Sequence, residues 1–183
     1  MRIVAGLYRG HILADPTNNA THPMSEKIRG ALFNSLGDIG GLSVLDAYAG
    51  TGSVAIEAIS RGAQSALAID NDPEAFKCIT KNLTKLNLHK SMSVVCANVI
   101  TWSTKNQTLK FDIVVADAPF NIANDTLLNK LSLHVVKNGI LVASIPSDFN
   151  PKPLVGFMLL RTKLYGNAKL HFYKHATNAV KDV

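Results

Sequence analysis

The most informative segment of the chain reads Val44-Leu45-Asp46-Ala47-Tyr48-Ala49-Gly50-Thr51-Gly52-Ser53. It is an apolar run that ends in a carboxylate and opens into two closely spaced glycines. The helix-forming run Val54 to Arg61 follows, so the segment predicts a buried strand, a tight loop and a helix. Glycines let the backbone turn sharply and approach a ligand, and the first turn of a helix offers unpaired N–H groups. The segment therefore predicts a nucleotide-binding βα unit.

Two classes of nucleotide fit this loop. Gly50-x-Gly52-x-x-Ala55 satisfies the dinucleotide fingerprint G-x-G-x-x-G/A, and Asp70 lies 20 residues beyond Gly50, as in nicotinamide-binding sites. Asp46 at the mouth of the loop would repel a pyrophosphate, but it would attract the ammonium group of S-adenosylmethionine (SAM), whose nucleoside carries no phosphate. Asp46 therefore favours SAM, unless its carboxylate only caps the turn.

Length and composition favour one domain in the cytoplasm. The chain has 183 residues, of which 47% are hydrophobic, enough for one substantial core. The first ten residues contain no uninterrupted apolar segment, and no stretch approaches the length of about 18 residues that spans a bilayer. Cys78 and Cys96 are predicted to be buried, reduced thiols. The six histidines are scattered, so we expect no metal site.

Positive charge is concentrated in the last third of the chain. Residues 1–125 hold 11 Lys and Arg against 11 Asp and Glu, whereas residues 126–183 hold 8 against 2. The net charge of +6 therefore comes from the C-terminal part, and a basic surface there suits a polyanion. Five basic residues lie in or near the strands predicted in this part: Lys152, Arg161, Lys163, Lys169 and Lys174. Any one of them, taken alone, also fits a solvated position beside an exposed strand.

The first 37 residues read as an N-terminal extension. Arg2, Arg9 and His11 surround two glycines in a short basic ribbon, and a loop over residues 14–23 follows. Ser25 is predicted to cap a helix that ends at Gly37. Its apolar residues have the i, i+4, i+5, i+8 spacing of a buried stripe: Ile28, Leu32, Phe33 and Leu36. Arg29 lies off that stripe, so we expect it to be free to contact solvent, cofactor or RNA.

From residue 43 onward, predicted strands and helices alternate. The strands are predicted at 44–46, 66–70, 93–96, 112–116 and 140–145, and the helices at 54–62, 73–86, 99–103 and 125–136. This alternation predicts a mostly parallel sheet with helices on both faces and ligands at the carboxyl ends of its strands. Residues 154–162 and 168–174 are predicted to form an antiparallel hairpin around Tyr165-Gly166-Asn167.

Polar residues follow several of these strands and are expected to meet at one edge of the sheet. Asp70 ends the second strand, where a carboxylate can accept hydrogen bonds from both ribose hydroxyls, while Asp72 suits the cap of the next helix. Asn98 and the backbone of Val99 follow the third strand, where they could contact the adenine edge. The tetrapeptide Asp117-Ala118-Pro119-Phe120 follows the fourth strand and is the candidate for chemistry.

This tetrapeptide suits methyl transfer to an exocyclic amine of a nucleic-acid base. The lone pair of such an amine is delocalised into the ring, so attack requires alignment of the NH₂ group and acceptors for its developing charge. Asp117 and the carbonyl of Ala118 can supply those acceptors, and Phe120 can stack on the base. A core position under the loop is the alternative for Phe120.

These segments together resemble the RsmD family of bacterial methyltransferases. The resemblance rests on motifs spread over nearly the whole length: Met1-Arg2-Ile3-Val4-Ala5-Gly6, Tyr8-Arg9-Gly10, Thr21-His22-Pro23, Arg29-Gly30-Ala31-Leu32-Phe33-Asn34, Leu45-Asp46-Ala47-Tyr48-Ala49-Gly50-Thr51-Gly52, Glu57-Ala58, Ser60-Arg61-Gly62-Ala63, Asp117-Ala118-Pro119-Phe120 and Tyr165-Gly166-Asn167. The glycine loop alone would indicate only a SAM enzyme, so the specificity comes from its combination with the N-terminal motifs.

The resemblance implies an α/β fold with a seven-stranded, Rossmann-like sheet, mostly parallel with an antiparallel last strand, and a short N-terminal extension. It implies one domain over residues 1–183, with the extension in 1–37 and the catalytic core in 43–183. The implied activity is methylation, with SAM, of the exocyclic N2 of a guanine in 16S ribosomal RNA. The implied partner is the small ribosomal subunit or its precursor. We expect the protein itself to be a monomer.

The residues expected to act fall into three groups. The cofactor-binding set is Asp46, Ala49, Gly50, Gly52, Asp70, Asn71, Asn98 and Val99. The catalytic set is Asp117, Ala118, Pro119 and Phe120. The RNA-binding set is Arg2, Arg9 and Arg29.

Two positions depart from the family pattern. The family tetrapeptide is usually Asp-Pro-Pro-Phe, so Ala118 keeps the accepting carbonyl but loses the fixed φ of proline, although Pro119 still favours an extended Ala118. We therefore expect retained but slower catalysis. His22 stands where an arginine is common, which replaces a fixed charge by a titratable one.

Other functions also fit the residues. These are an amino-methyltransferase acting on another nucleic-acid base, such as adenine or cytosine in DNA, a SAM- or RNA-binding homologue with impaired chemistry, and a nicotinamide-dependent oxidoreductase. The last would lack both a separate substrate domain and an evident set of hydride-transfer residues.

Overall fold

A computed structural model describes residues 1–15 and 24–176, and the predictions for the loop up to Pro23, including His22, lie largely outside them. Seven strands form a single sheet: β1 (Ser43–Ala47), β2 (Ser65–Asp70), β3 (Met92–Cys96), β4 (Phe111–Ala116), β5 (Val135–Pro146), β6 (Phe157–Tyr165) and β7 (Ala168–His175). The helices are α1 (Glu26–Leu36), α2 (Ser53–Ser60), α3 (Pro73–Leu86), α4 (Val99–Lys105) and α5 (Asp125–Ser132).

The sheet has the strand order β3-β2-β1-β4-β5-β7-β6. Strands β1 to β5 pair in parallel, whereas β7 runs antiparallel to both β5 and β6. The predicted fold class, with an antiparallel last strand, is therefore confirmed. The chain crosses from β3 back to β4 beside β1, so the strand order reverses between β1 and β4. Ligands of open α/β sheets bind at such a crevice, beyond the carboxyl ends of the strands.

Alternating residues of the central strands separate two hydrophobic cores. On β1, β4 and β5, one face contributes Val44, Val115 and Val142, and the opposite face contributes Leu45, Val114 and Leu141. The first face packs against α1, α2 and α3, and we call it the α1 face. The second packs against α4 and α5 and is called the α5 face. This period of two also decides which face each polar side chain of a strand occupies.

Local sequence signals account for most element boundaries. The Ser25 side chain accepts a hydrogen bond from the backbone N–H of Ile28 at 3.3 Å, and α1 ends at Gly37, as predicted. Helix α5 ends at Ser132, so the predicted helix over 125–136 is too long. Its last residues belong to β5, because the apolar stripe of α5 stops at Leu131 and the β-branched pair at 135 and 136 favours a strand.

A buried carboxylate connects the N-terminal ribbon to α2. Arg2 and Ile12 form an antiparallel bridge across the ribbon. The backbone N–H groups of Val4 and Ala5 donate to the two oxygens of Glu57 in α2, at 2.8 and 3.0 Å. Because Glu57 is fully buried, these bonds fix the ribbon against the helix that follows the glycine loop.

The prediction that Arg29 is free to contact solvent or RNA is wrong. Arg29 is completely buried, and its Nε lies 3.4 Å from Oε2 of Glu57. Its guanidinium also donates to the backbone carbonyls of Arg2 and Met24. Burial of a charged group is costly unless it is paired and hydrogen-bonded, and Arg29 meets both conditions. Its role in this structure is to connect α1, α2 and the ribbon.

The two cysteines differ in exposure. Cys78 is buried, as predicted, and its thiol donates to the carbonyl of Ala14 at 3.1 Å. Cys96 is exposed at the end of β3, so the prediction that it is buried is wrong. In the parts of the chain that the structure describes, no helix is long and apolar enough to cross a membrane.

Replacement of Glu57 by alanine should lower the free energy of unfolding by about 3–5 kcal/mol, because it leaves the Arg29 guanidinium buried without its counter-charge. Chemical denaturation measures this difference. The control is Glu74→Ala, which breaks the exposed Lys77–Glu74 pair and should cost less than about 1 kcal/mol. Equal, small losses for both variants would contradict the assigned role of Glu57.

Candidate functional site

The glycine loop joins β1 to α2 at the carboxyl edge of the sheet. Gly50 and Gly52 have φ angles of +54° and +75°, in the region that L side chains rarely adopt. A Cβ on Gly52 would lie 3.1 Å from two side-chain carbons of Ile79, so α3 packs directly on the loop there. A Cβ on Gly50 would meet no atom within 4 Å. The loop is therefore closed on its α3 side and open at Gly50.

Tyr48 is strained next to these glycines. Its φ angle is +72°, which is costly for a residue with a large side chain. The backbone N–H groups of Tyr48 and Ala49 both donate to the carbonyl of Ile69 in β2, at 3.0 and 2.9 Å. The neighbouring strand thus holds the loop in this conformation, and Ala49 is buried within it.

Asp70 connects the end of β2 to the glycine loop. Its Oδ2 accepts a hydrogen bond from the Gly50 backbone N–H at 2.8 Å, and its Oδ1 accepts one from Asp72 N–H at 3.0 Å. Each carboxylate oxygen has capacity for a further hydrogen bond. Asp72 caps α3 through Glu74 N–H, as predicted. Asp70 thus positions the loop. It also lies at the end of β2, where the sequence predicts a contact with ribose.

Asp46 has one oxygen engaged and one oxygen without a partner. Its Oδ2 accepts from the Ala55 backbone N–H at 3.0 Å, so part of this carboxylate does cap α2. Its Oδ1 is buried and has no hydrogen-bond partner among the residues that the structure describes. Burial, together with the charges of Asp117 and Asp70, raises the pKa of Asp46 to about 7. A buried acceptor with unused capacity is suited to a cationic ligand.

Asp117 lies beside Asp46 at the same edge. Ala116 pairs with Ala143 in the ladder between β4 and β5, and the next residues, Asp117 and Ser144, are joined by a side-chain hydrogen bond. Burial raises the pKa of Asp117 to about 6, while the Ser144 hydroxyl opposes that shift. At neutral pH the ionised form of Asp117 therefore predominates.

The residues after Asp117 differ in exposure. Ala118 is buried, whereas the Phe120 side chain is 42% exposed. The alternative that Phe120 is a core residue under the loop is therefore wrong. The Pro119 carbonyl accepts from Ile122 N–H at 3.0 Å, which closes a turn after Pro119. The tetrapeptide thus combines a buried Ala118 with an accessible aromatic ring.

Asn98, Val99 and Asn71 lie at the outer end of the same edge. Asn98 is exposed, and its side-chain oxygen caps α4 by accepting from Thr101 N–H at 3.0 Å. Val99 is the buried first residue of α4. Asn71 is exposed between β2 and α3. The amide oxygen of Asn98 therefore has a structural task that the sequence did not reveal.

The three predicted RNA-binding residues differ in their surroundings. Arg2 is exposed, and its guanidinium contacts Glu26 at 3.3 Å. Arg9 is also exposed, and it lies in the tip of the ribbon. This tip is bonded through Leu7 N–H to the carbonyl of Ser60, the last residue of the helix that the glycine loop begins. Arg29 is buried, as described above. Lys169 of the basic C-terminal set is buried as well, where it donates to Ser147 O and Asn150 Oδ1.

Two further observations bear on where the site lies. No group of three or more His, Cys, Asp or Glu side chains that could hold a metal ion occurs within residues 1–15 and 24–176. A shallow groove of about 570 Å³ lies on the outer side of α3, apart from the carboxylates, and is lined by Phe76, Lys77, Thr80, Lys81, Thr84 and Lys85. The candidate site is therefore the carboxyl edge between β1 and β5.

Comparison with known proteins places the chain in a family. The family model described as "Conserved hypothetical protein 95" matches residues 1–174. The chain belongs to this family. "Ribosomal RNA small subunit methyltransferase D" of Escherichia coli (strain K12) is 27% identical over 197 aligned positions, covering 100% of this chain and 93% of the relative. The resemblance to RsmD-family methyltransferases is therefore confirmed.

Solved structures agree with this family assignment. "Putative methyltransferase yhhF from Escherichia coli" has a TM-score of 0.86 and 26% identity, covering 97% of this chain and 99% of that one. SMU.776, described as a putative methyltransferase complexed with SAH, has a TM-score of 0.66 and 16% identity, covering 81% of this chain and 48% of that one. The second likeness shows the fold alone.

Three residues have structural roles that the sequence did not predict. Ser144 contacts Asp117, and its only signal in the sequence is that it interrupts an apolar strand. Glu57 is a carboxylate among apolar residues of α2, which could have suggested a buried ion pair. Tyr48 carries no sequence signal, because a positive φ at tyrosine cannot be read from residue type.

The Asp46→Asn variant should be more stable than the wild type at pH 8 by about 2–4 kcal/mol, and the difference should vanish at pH 4. An unfolded Asp releases its proton near pH 4, whereas native Asp46 keeps its proton up to about pH 7. The native state therefore binds more protons in this window, so wild-type stability falls as pH rises. Urea denaturation at both pH values tests this, with the exposed Asp148→Asn as control. If the difference in stability between Asp46→Asn and the wild type does not change with pH, the raised pKa of Asp46 is contradicted.

Proposed function

We propose that this protein uses SAM to methylate the exocyclic N2 of a guanine in small-subunit ribosomal RNA. Family membership and the name of the Escherichia coli relative support methylation of ribosomal RNA. The guanine N2 position and the small subunit or its precursor as substrate are the finer parts of the proposal. It also places the protein in the cytoplasm, as a monomer.

The unpartnered oxygen of Asp46 is the observation that carries the choice of cofactor. Two other carboxylates, those of Asp117 and Asp70, lie near enough to raise the pKa of Asp46. A pyrophosphate at this loop would meet these negative charges, which disfavours a nicotinamide dinucleotide. An ammonium group would instead supply the missing donor and the counter-charge. When bound, SAM supplies an electrophilic methyl group on a positively charged sulfur.

Each cofactor-binding residue has a distinct proposed task. Asp46 would accept from the ammonium group, and the open backbone at Gly50 would let the methionine part approach. Asp70 would accept from the ribose hydroxyls while it keeps its bond to Gly50 N–H. These assignments use hydrogen-bonding capacity that is unused in the structure. At the outer end of the edge, Asn98 and Val99 would contact adenine, with Asn71 beside them.

Asp117 is the proposed acceptor for the target amine. Its ionised carboxylate can accept a hydrogen bond from the NH₂ group and stabilise the positive charge that develops on nitrogen. The Ser144 hydroxyl holds this carboxylate in place. The Ala118 carbonyl would take the second N–H, and the exposed Phe120 ring would stack on the base. Together these groups would orient the nitrogen lone pair for attack.

Asp117→Asn should reduce methyl transfer by about 10²-fold or more, since it removes the charge that stabilises the developing cation. Transfer from labelled SAM to small-subunit particles lacking the modification measures the rate, with Asp148→Asn as control. Mass spectrometry of the product nucleosides should show N2-methylguanosine. Methylation of another base would show that the assignment to guanine N2 is wrong. Calorimetry that shows no SAM binding by the folded protein would overturn the whole proposal.

Ala118→Pro should increase the single-turnover rate of methyl transfer, because proline would fix φ at the residue whose carbonyl accepts from the amine. Ala118→Gly, which loosens the same backbone, should decrease it. An unchanged rate in both variants would show that the conformation of residue 118 does not limit the reaction. Turnover that appears only in the proline variant would identify the natural chain as a binding homologue with impaired chemistry.

A further inference from the structure

We infer that Arg161, Lys163 and Lys174, on the β6–β7 hairpin, form a second RNA contact that binds phosphates next to the target base. We call these three side chains the hairpin basic cluster. This inference rests on the proposed function, because it takes the substrate to be RNA. It adds an interaction surface that lies outside the residues assigned above.

Strand register places this cluster on the same face of the sheet as the catalytic edge. Ser144 of β5 pairs with Leu170 of β7, and Leu170 pairs with Lys163 of β6. Residues paired across neighbouring strands point to the same face, so Lys163 shares the face of Ser144. Two strand spacings separate them, or about 10 Å. Because Ser144 bonds to Asp117, Lys163 lies within reach of a nucleotide next to the one held there.

The other two cations extend along this face. Arg161 pairs with Phe172, and Lys174 pairs with Met158. Leu170 and Phe172 belong to the core on the α1 face, which fixes the direction of this set of side chains. Arg161 and Lys163, two residues apart on β6, lie about 7 Å apart, a spacing comparable to that of successive phosphates on an RNA strand. Lys174 lies on neighbouring β7, two residues beyond the partner of Arg161. The three cations can therefore follow one stretch of backbone.

Charge and exposure support a polyanion as the partner. Strands β6 and β7 contain no Asp or Glu. Arg161 and Lys174 are exposed, and Lys163 is half-buried. By contrast, Lys169 points to the α5 face and is already bonded to Ser147 and Asn150. Lysines on an edge strand also discourage pairing between sheets, so the experiment must separate that role from RNA binding.

A triple variant tests the cluster: Arg161→Ala, Lys163→Ala and Lys174→Ala. At 150 mM salt we expect at least a tenfold weaker affinity for RNA of the substrate region, with SAM affinity unchanged. The plot of log K against the logarithm of salt concentration should become less steep by about 2, because each of the three single-strand phosphate contacts contributes about 0.7 to its slope. For methyl transfer, KM for the particle should rise while kcat at saturating particle changes less than about twofold.

A charge-matched variant provides the first control. Lys81→Ala, Lys90→Ala and Lys105→Ala remove three exposed lysines that lie outside this hairpin, so net charge falls equally. This variant should change affinity much less and leave KM nearly unchanged. If both triple variants weaken binding equally, the effect is one of net charge and the inference is wrong.

A positional swap provides the second control. Lys163→Leu combined with Leu164→Lys keeps the composition but moves the charge to the α5 face, since adjacent strand residues point in opposite directions. The swap should weaken RNA binding as much as Lys163→Ala does. Unchanged affinity in the swap would contradict the inference. Normal RNA affinity in the triple variant, with SAM binding and methyl transfer intact, would show that the hairpin basic cluster does not bind RNA. That result would leave the proposed function unaffected.

Discussion

The carboxylate of Glu57 joins parts of the chain that are far apart in sequence. It accepts from the ribbon through Val4 and Ala5, pairs with buried Arg29 of α1, and contacts Arg61 Nε at 2.9 Å. Glu57 lies about one turn after the glycine loop, on the helix that this loop begins. The position of the N-terminal extension is therefore set relative to the ligand loop itself. Loss of this carboxylate would leave an unpaired cation in the interior, so the arrangement tolerates little change.

The carboxyl edge has the opposite character, because it concentrates the negative charges of Asp46, Asp70 and Asp117, which Arg29 opposes only in part. Burial raises the pKa of both Asp46 and Asp117, and the negative charges of Asp117 and Asp70 make ionisation of Asp46 harder still. Such an arrangement reduces the stability of the ligand-free fold, and binding sites commonly carry this kind of cost. Hydrogen bonds from the loop to the Asp70 carboxylate and the Ile69 carbonyl hold the loop in place despite the strain at Tyr48. The site is thus prepared for a cation by the rigid elements around it.

The sequence predicted those features that depend on local pattern. Alternating apolar runs gave the parallel sheet, and the tripeptide Tyr165-Gly166-Asn167 gave the hairpin. Helix caps were found where a side chain bonds its own helix, as at Ser25 and Asp72. Features that depend on contacts between distant residues were missed. Arg29 looked solvent-exposed because its partner Glu57 lies 28 residues away, and no helical periodicity reveals such a pair.

The period of two along the strands decides how opposite charges can share one sheet. Asp46 and Val44 are two residues apart on β1, so both belong to the α1 face, and Ser144 takes the same face on β5 through Val142. On β6 the register with β7 brings Lys163 to that face and sends Leu164 to the other. A register slip of one residue would exchange these faces and separate the basic side chains from the carboxylates. Pairing of β7 with β5 over seven residue pairs opposes such a slip. The pairing of β7 with β5 and β6 therefore also determines that the basic side chains of the hairpin and the carboxylates of the central strands lie on the same face of the sheet.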